Sequence, residues 1–327
     1  MIKIELSGDK REKIEKLFLK DLVEGTQKGK RGKLIEDLDT KDSRNLLRRY
    51  NHALYDFLYD NVGKPNTDNV QELLLAGRKR MEEFIRQFPP NRSSPKPDEL
   101  LATAFRYKNF SNRKVVNEIL QEMEIPVCPY CNRLYITVLK RRKVRPQLDH
   151  FFPKSLYPYL ALSLYNLVPS CGVCNQAKAD WNTYKKPLLY PYEEEFGEEV
   201  VFNLNLRDKS DFVRKMRGDS SQIRVEICNS SHSPDLKQKV TKQDELLHLT
   251  DLYGEHGDYV ADILKSYHIN TEARVEELLQ CFPELFSSRD EVRSMMFMNN
   301  VSYDQWGRRP LAKLTHDILR ELDSLMH

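Results

Sequence analysis

The chain has 327 residues, 40% hydrophobic and 31% charged, with only 12 Gly and 16 Pro. That length predicts two or three structural units, and that composition excludes collagen-like and disordered chains. No run approaches the ~18 consecutive apolar residues of a membrane helix, and Met1–Lys10 alternates charge without an apolar signal core, so the expected compartment is the cytoplasm.

Net charge is only +3, which by itself implies no nucleic-acid partner. Its distribution says more. The window from Cys128 to Tyr190 holds ten Lys/Arg against two acids, a net of +8, so the rest of the chain sums to −5. A basic segment inside an acidic remainder is a candidate phosphate-binding face, or else a solvated hairpin.

The first ~120 residues read as helices. Ile14, Leu17, Phe18 and Leu22 recur at helical spacing over Lys10–Glu24. The pattern returns over Asn45–Tyr59 and again over Val70–Phe88. Four prolines then interrupt it between Gln87 and Pro97. Asp98 is placed to cap a further helix, and Arg113–Met123 predicts another. The middle, residues 126–191, changes character, with an expected strand at Leu134–Leu139 and many aromatics. Strands are expected at Val200–Leu206 and Ile223–Ile227. The rest returns to helix at Asp244–Tyr253, Tyr259–Tyr267, Thr271–Cys281, Arg289–Met298 and Pro310–Leu325, with Pro310 in a first turn. The expected fold class is therefore α+β, mainly helical.

Four of the six cysteines form two pairs, Cys128-Pro-Tyr-Cys131 and Cys171-Gly-Val-Cys174. Each pair can place two thiolates on one ion, and two such knuckles complete a tetrahedral set for a structural Zn²⁺. Buried or redox-active thiols are the alternative. Gly172 fits a knuckle that needs a left-handed backbone. The 39 residues between Cys131 and Cys171 exceed the spacing of ordinary zinc ribbons, so a folded segment is expected between the knuckles. Cys228 and Cys281 have no partner at ligand spacing and read as semi-buried thiols.

The inserted segment runs Gln147-Leu-Asp-His-Phe-Phe-Pro-Lys-Ser155, then Tyr165-Asn-Leu-Val-Pro-Ser-Cys-Gly-Val-Cys-Asn-Gln-Ala-Lys178. Asp149 offers a hard oxygen ligand, and Asn175 a second just after the second knuckle. Such oxygens suit Mg²⁺ or Mn²⁺. The neighbouring His150 is a base able to activate water against a phosphodiester. Adjacent strand residues point to opposite faces, so Asp149 and His150 serve one site only if the strand twists or ends there. Pro153 favours an early end.

This pattern, Asp-His followed by Asn-Leu-Val-x-x-Cys-x-x-Cys-Asn-x-x-Lys, resembles the HNH, or ββα-metal, endonucleases in their zinc-braced form. The resemblance covers about 60 residues, Cys128 to Tyr190. It implies a ββα-metal core between helical flanks, with divisions at 1–125, 126–191 and 192–327. It implies DNA as substrate, His150 as general base, and Asp149 and Asn175 on a catalytic Mg²⁺ or Mn²⁺. Asn166 would brace the loop and orient His150 by hydrogen bonding, and Cys128, Cys131, Cys171 and Cys174 would hold the structural Zn²⁺. The last position of the motif is Asn175 rather than His, which retains an oxygen ligand. Lys154 and Lys178 read equally as phosphate contacts or solvated lysines. The run Lys140, Arg141, Arg142, Lys143 with Arg145 reads equally as a phosphate clamp or a soluble turn. Tyr157, Tyr159 and Tyr165 read as core aromatics more than as base-stacking ones.

More loosely, the flanks are similar to the PtuB-type nuclease subunits of Septu anti-phage systems and related retron proteins. The points of similarity are Pro187-Leu-Leu-Tyr-Pro191, the stretch from Asp251 through His256 to Lys265, and Arg309–Ile318. That resemblance implies an SMC-like, PtuA-type ATPase as protein partner, bound by the helical flanks. His256 and His316 read as structural. Two further readings stay open: a stand-alone restriction-type HNH nuclease, and a zinc-stabilised nucleic-acid-binding module without catalysis. A binder has no need of Asp149-His150.

Overall fold

The structure is a computed structural model. It describes residues 1–25, 32–89, 95–139, 144–217 and 223–326. The fold is α+β and mainly helical, with two small two-stranded antiparallel sheets among the described residues. The chain divides into two compact units. One comprises Glu5–Glu124 and Thr137–Pro187, and the other Met1–Ile4, Ile125–Ile136 and Leu188–His327.

The first of these units opens with nine helices in its described residues. They are α1 (Gly8–Leu19), α2 (Lys33–Leu38), α3 (Lys41–Tyr50), α4 (His52–Leu58), α5 (Thr67–Leu74), α6 (Arg78–Gln87), α7 (Pro97–Thr103), α8 (Tyr107–Ser111) and α9 (Lys114–Met123). α1 starts where the Ser7 side chain accepts from Lys10 N, and it ends in a π-helical turn, Lys20–Glu24. It packs on α9. Ile14 and Phe18 are fully buried, each contributing roughly 2–3 kcal/mol of apolar burial.

The long helical patterns of the sequence break into shorter helices at residues that cap. Asn45–Tyr59 is split at Asn51, whose backbone is extended and whose Oδ1 accepts from Leu54 N at 2.9 Å. Val70–Phe88 is split before Gly77, the extended N-cap of α6. Periodicity alone does not reveal these breaks, because the apolar face continues through them. Asp98 is not a cap. Lys96 precedes α7, Pro97 takes its first position, and Asp98 lies in the first turn.

The same unit holds a hairpin and helix: β1 (Gln147–His150), β2 (Leu167–Ser170) and α10 (Gly172–Lys178). The strands are antiparallel, with Gln147 opposite Ser170, Asp149 opposite Val168 and His150 opposite Leu167. α10 packs on β1. Tyr157, Tyr159 and Tyr165 are buried.

The second unit contains β3 (Val200–Asn203), α11 (Lys209–Arg217), β4 (Glu226–Asn229), α12 (Pro234–Leu247), α13 (Leu249–Gly254), α14 (Gly257–Ile269), α15 (Glu272–Cys281), α16 (Arg289–Met296) and α17 (Ala312–Met326). β3 pairs with β4 and packs on α17, where Asp317 Oδ2 accepts from Phe202 N at 2.9 Å. Leu134–Leu139 is not a strand. Only an isolated bridge joins Tyr135 to Val127, because Pro126 and Pro129 remove the donors a longer ladder needs. Cys228 is half-buried, but Cys281 is exposed. No helix in the described residues is long and apolar enough to cross a membrane.

Candidate active site

His150 is the last residue of β1, directly after Asp149. The imidazole is 5% exposed. Its Nε2 lies 3.0 Å from Ala161 O. A carbonyl only accepts, so Nε2 carries the proton and Nδ1 keeps the lone pair. Burial, reinforced by the positive charges of Lys154 and Lys178, pushes the imidazole down to about 3, against a smaller upward pull from the Ala161 bond. The ring is thus a neutral base at neutral pH.

Asn166 is fully buried and staples the loop that follows β1. Its Oδ1 accepts from Phe152 N at 2.7 Å, and its Nδ2 donates to Phe152 O and to Leu160 O, each at 3.0 Å. The side chain does not bond His150. It fixes Leu160, and the next carbonyl along the chain, Ala161 O, receives the His150 N–H.

Asp149 and Asn175 lie along one seam. Gln147 and Asp149 are two apart on β1 and share a side, while Asn175 and Lys178 are three apart on α10 and share a face. The two sets meet in register. Asn175 Nδ2 donates to Gln147 Oε1 at 2.6 Å, and Lys178 Nζ lies 3.1 Å from both Asp149 oxygens. The Asn175 amide is therefore aimed by its N–H, with Oδ1 as its acceptor end. A carboxylate and an amide oxygen are ligand types that suit Mg²⁺ or Mn²⁺, and here Asp149 is held by Lys178 and Asn175 by Gln147. Lys178 itself is buried, donates also to His150 O at 2.7 Å, and is not a solvated lysine.

The four cysteines Cys128, Cys131, Cys171 and Cys174 are all buried, with their sulfurs within 4.8 Å of one another. A tetrahedral zinc thiolate set needs sulfurs about 3.8 Å apart, so this group fits a zinc ion. Cys171 also caps α10, its Sγ accepting from Cys174 N at 3.4 Å. The second knuckle thereby sets the start of the helix that carries Asn175. Gly172 does not have the left-handed backbone expected of it. It is the first residue of α10, and a Cβ there would lie 3.3 Å from Gln147 Nε2. At the first knuckle the left-handed residue is Asn132, with φ 51°. Asn132 is fully buried: its Nδ2 donates to Trp306 O at 2.9 Å, its Oδ1 accepts from Lys313 N at 3.2 Å, and its carbonyl accepts from Leu311 N at 2.6 Å.

Lys140, Arg141, Arg142 and Lys143 lie outside the described residues. The Arg145 guanidinium donates to Ser111 O, the last residue of α8. Lys154 Nζ stands 5.5 Å from the centre of the Tyr107 ring. Tyr107 is a site residue that the sequence reading missed. Its ring packs edge-on against His150 with centroids 4.4 Å apart, and burial with the nearby Asp149 charge pushes its phenol up to about 12. It lies 43 positions before His150 in a five-residue helix, and no spacing rule points to it.

No family model matches the chain, and no solved structure matches it. A stretch of 91 residues, 28% of the chain, is 32% identical to the Septu protein PtuB of Bacillus thuringiensis. The matched stretch spans 34% of that protein, about a third of its length. The chain is therefore partly similar to a Septu component.

Proposed function

We propose that this protein is a metal-dependent HNH endonuclease that hydrolyses DNA phosphodiester bonds. The observation that carries the reading is His150: an imidazole with its proton pinned on Nε2 by Ala161 O, ending β1 directly after Asp149. In this reading Nδ1 takes a proton from a water, and the water oxygen attacks phosphorus in line. The bond to the 3′ oxygen breaks and that oxygen takes a proton from solvent, leaving 5′-phosphate and 3′-hydroxyl ends. Asp149 and Asn175 would hold Mg²⁺ or Mn²⁺, whose chemistry is to stabilise negative charge on the departing oxygen. Asn166 keeps the Ala161 carbonyl on His150, so the base stays in one tautomer. Arg145 and Lys154 supply positive charge to the DNA backbone. Cys128, Cys131, Cys171 and Cys174 would hold Zn²⁺ as a structural brace.

The likeness to Septu PtuB supports a place in anti-phage defence, with a PtuA-like, SMC-type ATPase as partner and the cytoplasm as compartment. The test is nicking of supercoiled plasmid with Mg²⁺ or Mn²⁺ by wild type and by His150→Ala. Activity in the wild type and none in the variant is expected. Equal activity in both would remove His150 as base. Silence in both, with zinc bound and the partner ATPase present, would favour the non-catalytic binding module.

A further inference from the structure

Lys178 is the one charged group of the seam that the proposed chemistry does not use. Its side chain is 0% exposed, and that of its partner Asp149 is 3% exposed. The ammonium is 3.1 Å from each carboxylate oxygen and 2.7 Å from His150 O, so it is centred on the carboxylate and anchored beside the base. Breaking such a buried pair by removing one partner is strongly destabilising. Lys178 shares the face of α10 that presents Asn175 to β1. The ammonium therefore lies on the carboxylate that the proposed nuclease needs for its metal.

We propose that Lys178 is a tethered counter-ion that couples divalent-metal binding at Asp149 to the arrival of a DNA phosphate. The proposal deepens the endonuclease reading and rests on it. Asp149 carries one negative charge. A divalent ion on that carboxylate brings like charge within a few ångströms of Nζ, where little water screens the repulsion. Metal binding is weak while Lys178 keeps its place. A phosphodiester entering the site brings a negative charge and new acceptor oxygens. Lysine's flexible stem lets Nζ turn from the carboxylate to the phosphate, and Lys178 is the last residue of α10, next to the left-handed Ala179 with φ 41°. Metal then binds better with DNA present, and DNA with metal present, by the same factor. Lys178 is a positioning residue in this scheme.

The test is Mn²⁺ affinity by electron paramagnetic resonance on the full, zinc-loaded chain. A His150→Ala background keeps a short DNA duplex intact during the measurement. Without DNA, the background protein is expected to bind Mn²⁺ weakly, and the duplex to tighten it about fivefold or more. Lys178→Gln keeps a donor for His150 O, and Lys178→Met keeps only the stem. Either is expected to tighten Mn²⁺ without DNA by about tenfold or more and to abolish the duplex effect. A folded Lys178→Gln protein with unchanged or weaker Mn²⁺ affinity would overturn the proposal. Should neither variant fold, as read by zinc content and circular dichroism, the duplex effect in the background protein decides, and its absence overturns the proposal equally. Mn²⁺ binding that is lost in Asp149→Asn but indifferent to Lys178 and to DNA would remove the tether and leave the endonuclease standing. No Mn²⁺ site at Asp149, together with no nicking by wild type, would remove both.

Discussion

Replacing Asn166 with Ala tests the link from loop to base. Asn166 and Leu160 are fully buried, and Phe152 is 1% exposed. The substitution strips the Asn166 side chain from Phe152 N, Phe152 O and Leu160 O. Leu160 O keeps the Ser163 N–H at 3.2 Å, so its loss is partial. The two groups of Phe152 are left buried without that partner, at a cost of roughly 1–3 kcal/mol each. A local destabilisation of about 3 kcal/mol is expected. At ~1.4 kcal/mol per decade, that is roughly 100-fold faster hydrogen exchange at the Phe152 amide. Mass-spectrometric exchange over residues 151–160 reads it directly. Nicking is expected to fall by a similar factor, about 100-fold, because the Ala161 carbonyl no longer holds the His150 N–H in place. Exchange within about threefold of wild type would refute the energetic argument. Fast exchange with full nicking would refute the step from Asn166 through Leu160 and Ala161 to His150.

Substitutions at three more positions test other parts of the protein. Cys171→Ser keeps a good helix cap for α10 while removing a zinc ligand, so zinc content is expected to drop from about one ion per chain to near none with a lower melting temperature. Full zinc retention would exclude Cys171 from the metal set. Tyr107→Phe keeps the ring against His150 and is expected to nick within about threefold of wild type, whereas Tyr107→Ala loses about tenfold or more; equal rates would make the ring contact irrelevant. His256 accepts from Arg133 Nε at 3.1 Å, and burial with that cation lowers its pKa. The folded state then binds fewer protons than the unfolded chain, so this stability is present above about pH 6.5 and lost as pH falls below it. His256→Gln keeps an acceptor without a titrating ring, and its melting temperature is expected to fall less than that of wild type between pH 7.5 and 5. A parallel fall in both would remove His256 as the cause.

The order of residues around the hairpin was legible in the sequence because each chemical requirement left a local mark. Two CxxC pairs fixed which thiols meet, and a Pro shortly after His150 foretold an early strand end. The helical regions were legible as regions, but not as elements. Asn51 and Gly77 interrupt an apolar stripe without changing it, so periodicity ran through both breaks. Leu134–Leu139 has the composition of a strand, yet prolines across from it prevent the pairing. Tyr107 and the buried state of Lys178 were beyond reach for another reason. Both depend on contacts between elements far apart in sequence, and neither residue type signals its partner. A lysine three places after Asn175 reads the same whether it reaches solvent or turns inward to Asp149.

Asn132 has a consequence in time. The groups that satisfy its buried amide and carbonyl, on Trp306, Leu311 and Lys313, are up to 181 positions further along the chain. A ribosome adding roughly 5–20 residues per second needs on the order of ten to forty seconds to cover that distance. During synthesis the first cysteine pair therefore emerges well before the partners of the adjoining asparagine exist. The left-handed turn at Asn132 becomes fully bonded only after the last helix has begun to emerge. Ribosome-bound chains stalled before Trp306 should show the turn at Asn132 open to limited proteolysis, with protection arriving only once Trp306, Leu311 and Lys313 have left the ribosome.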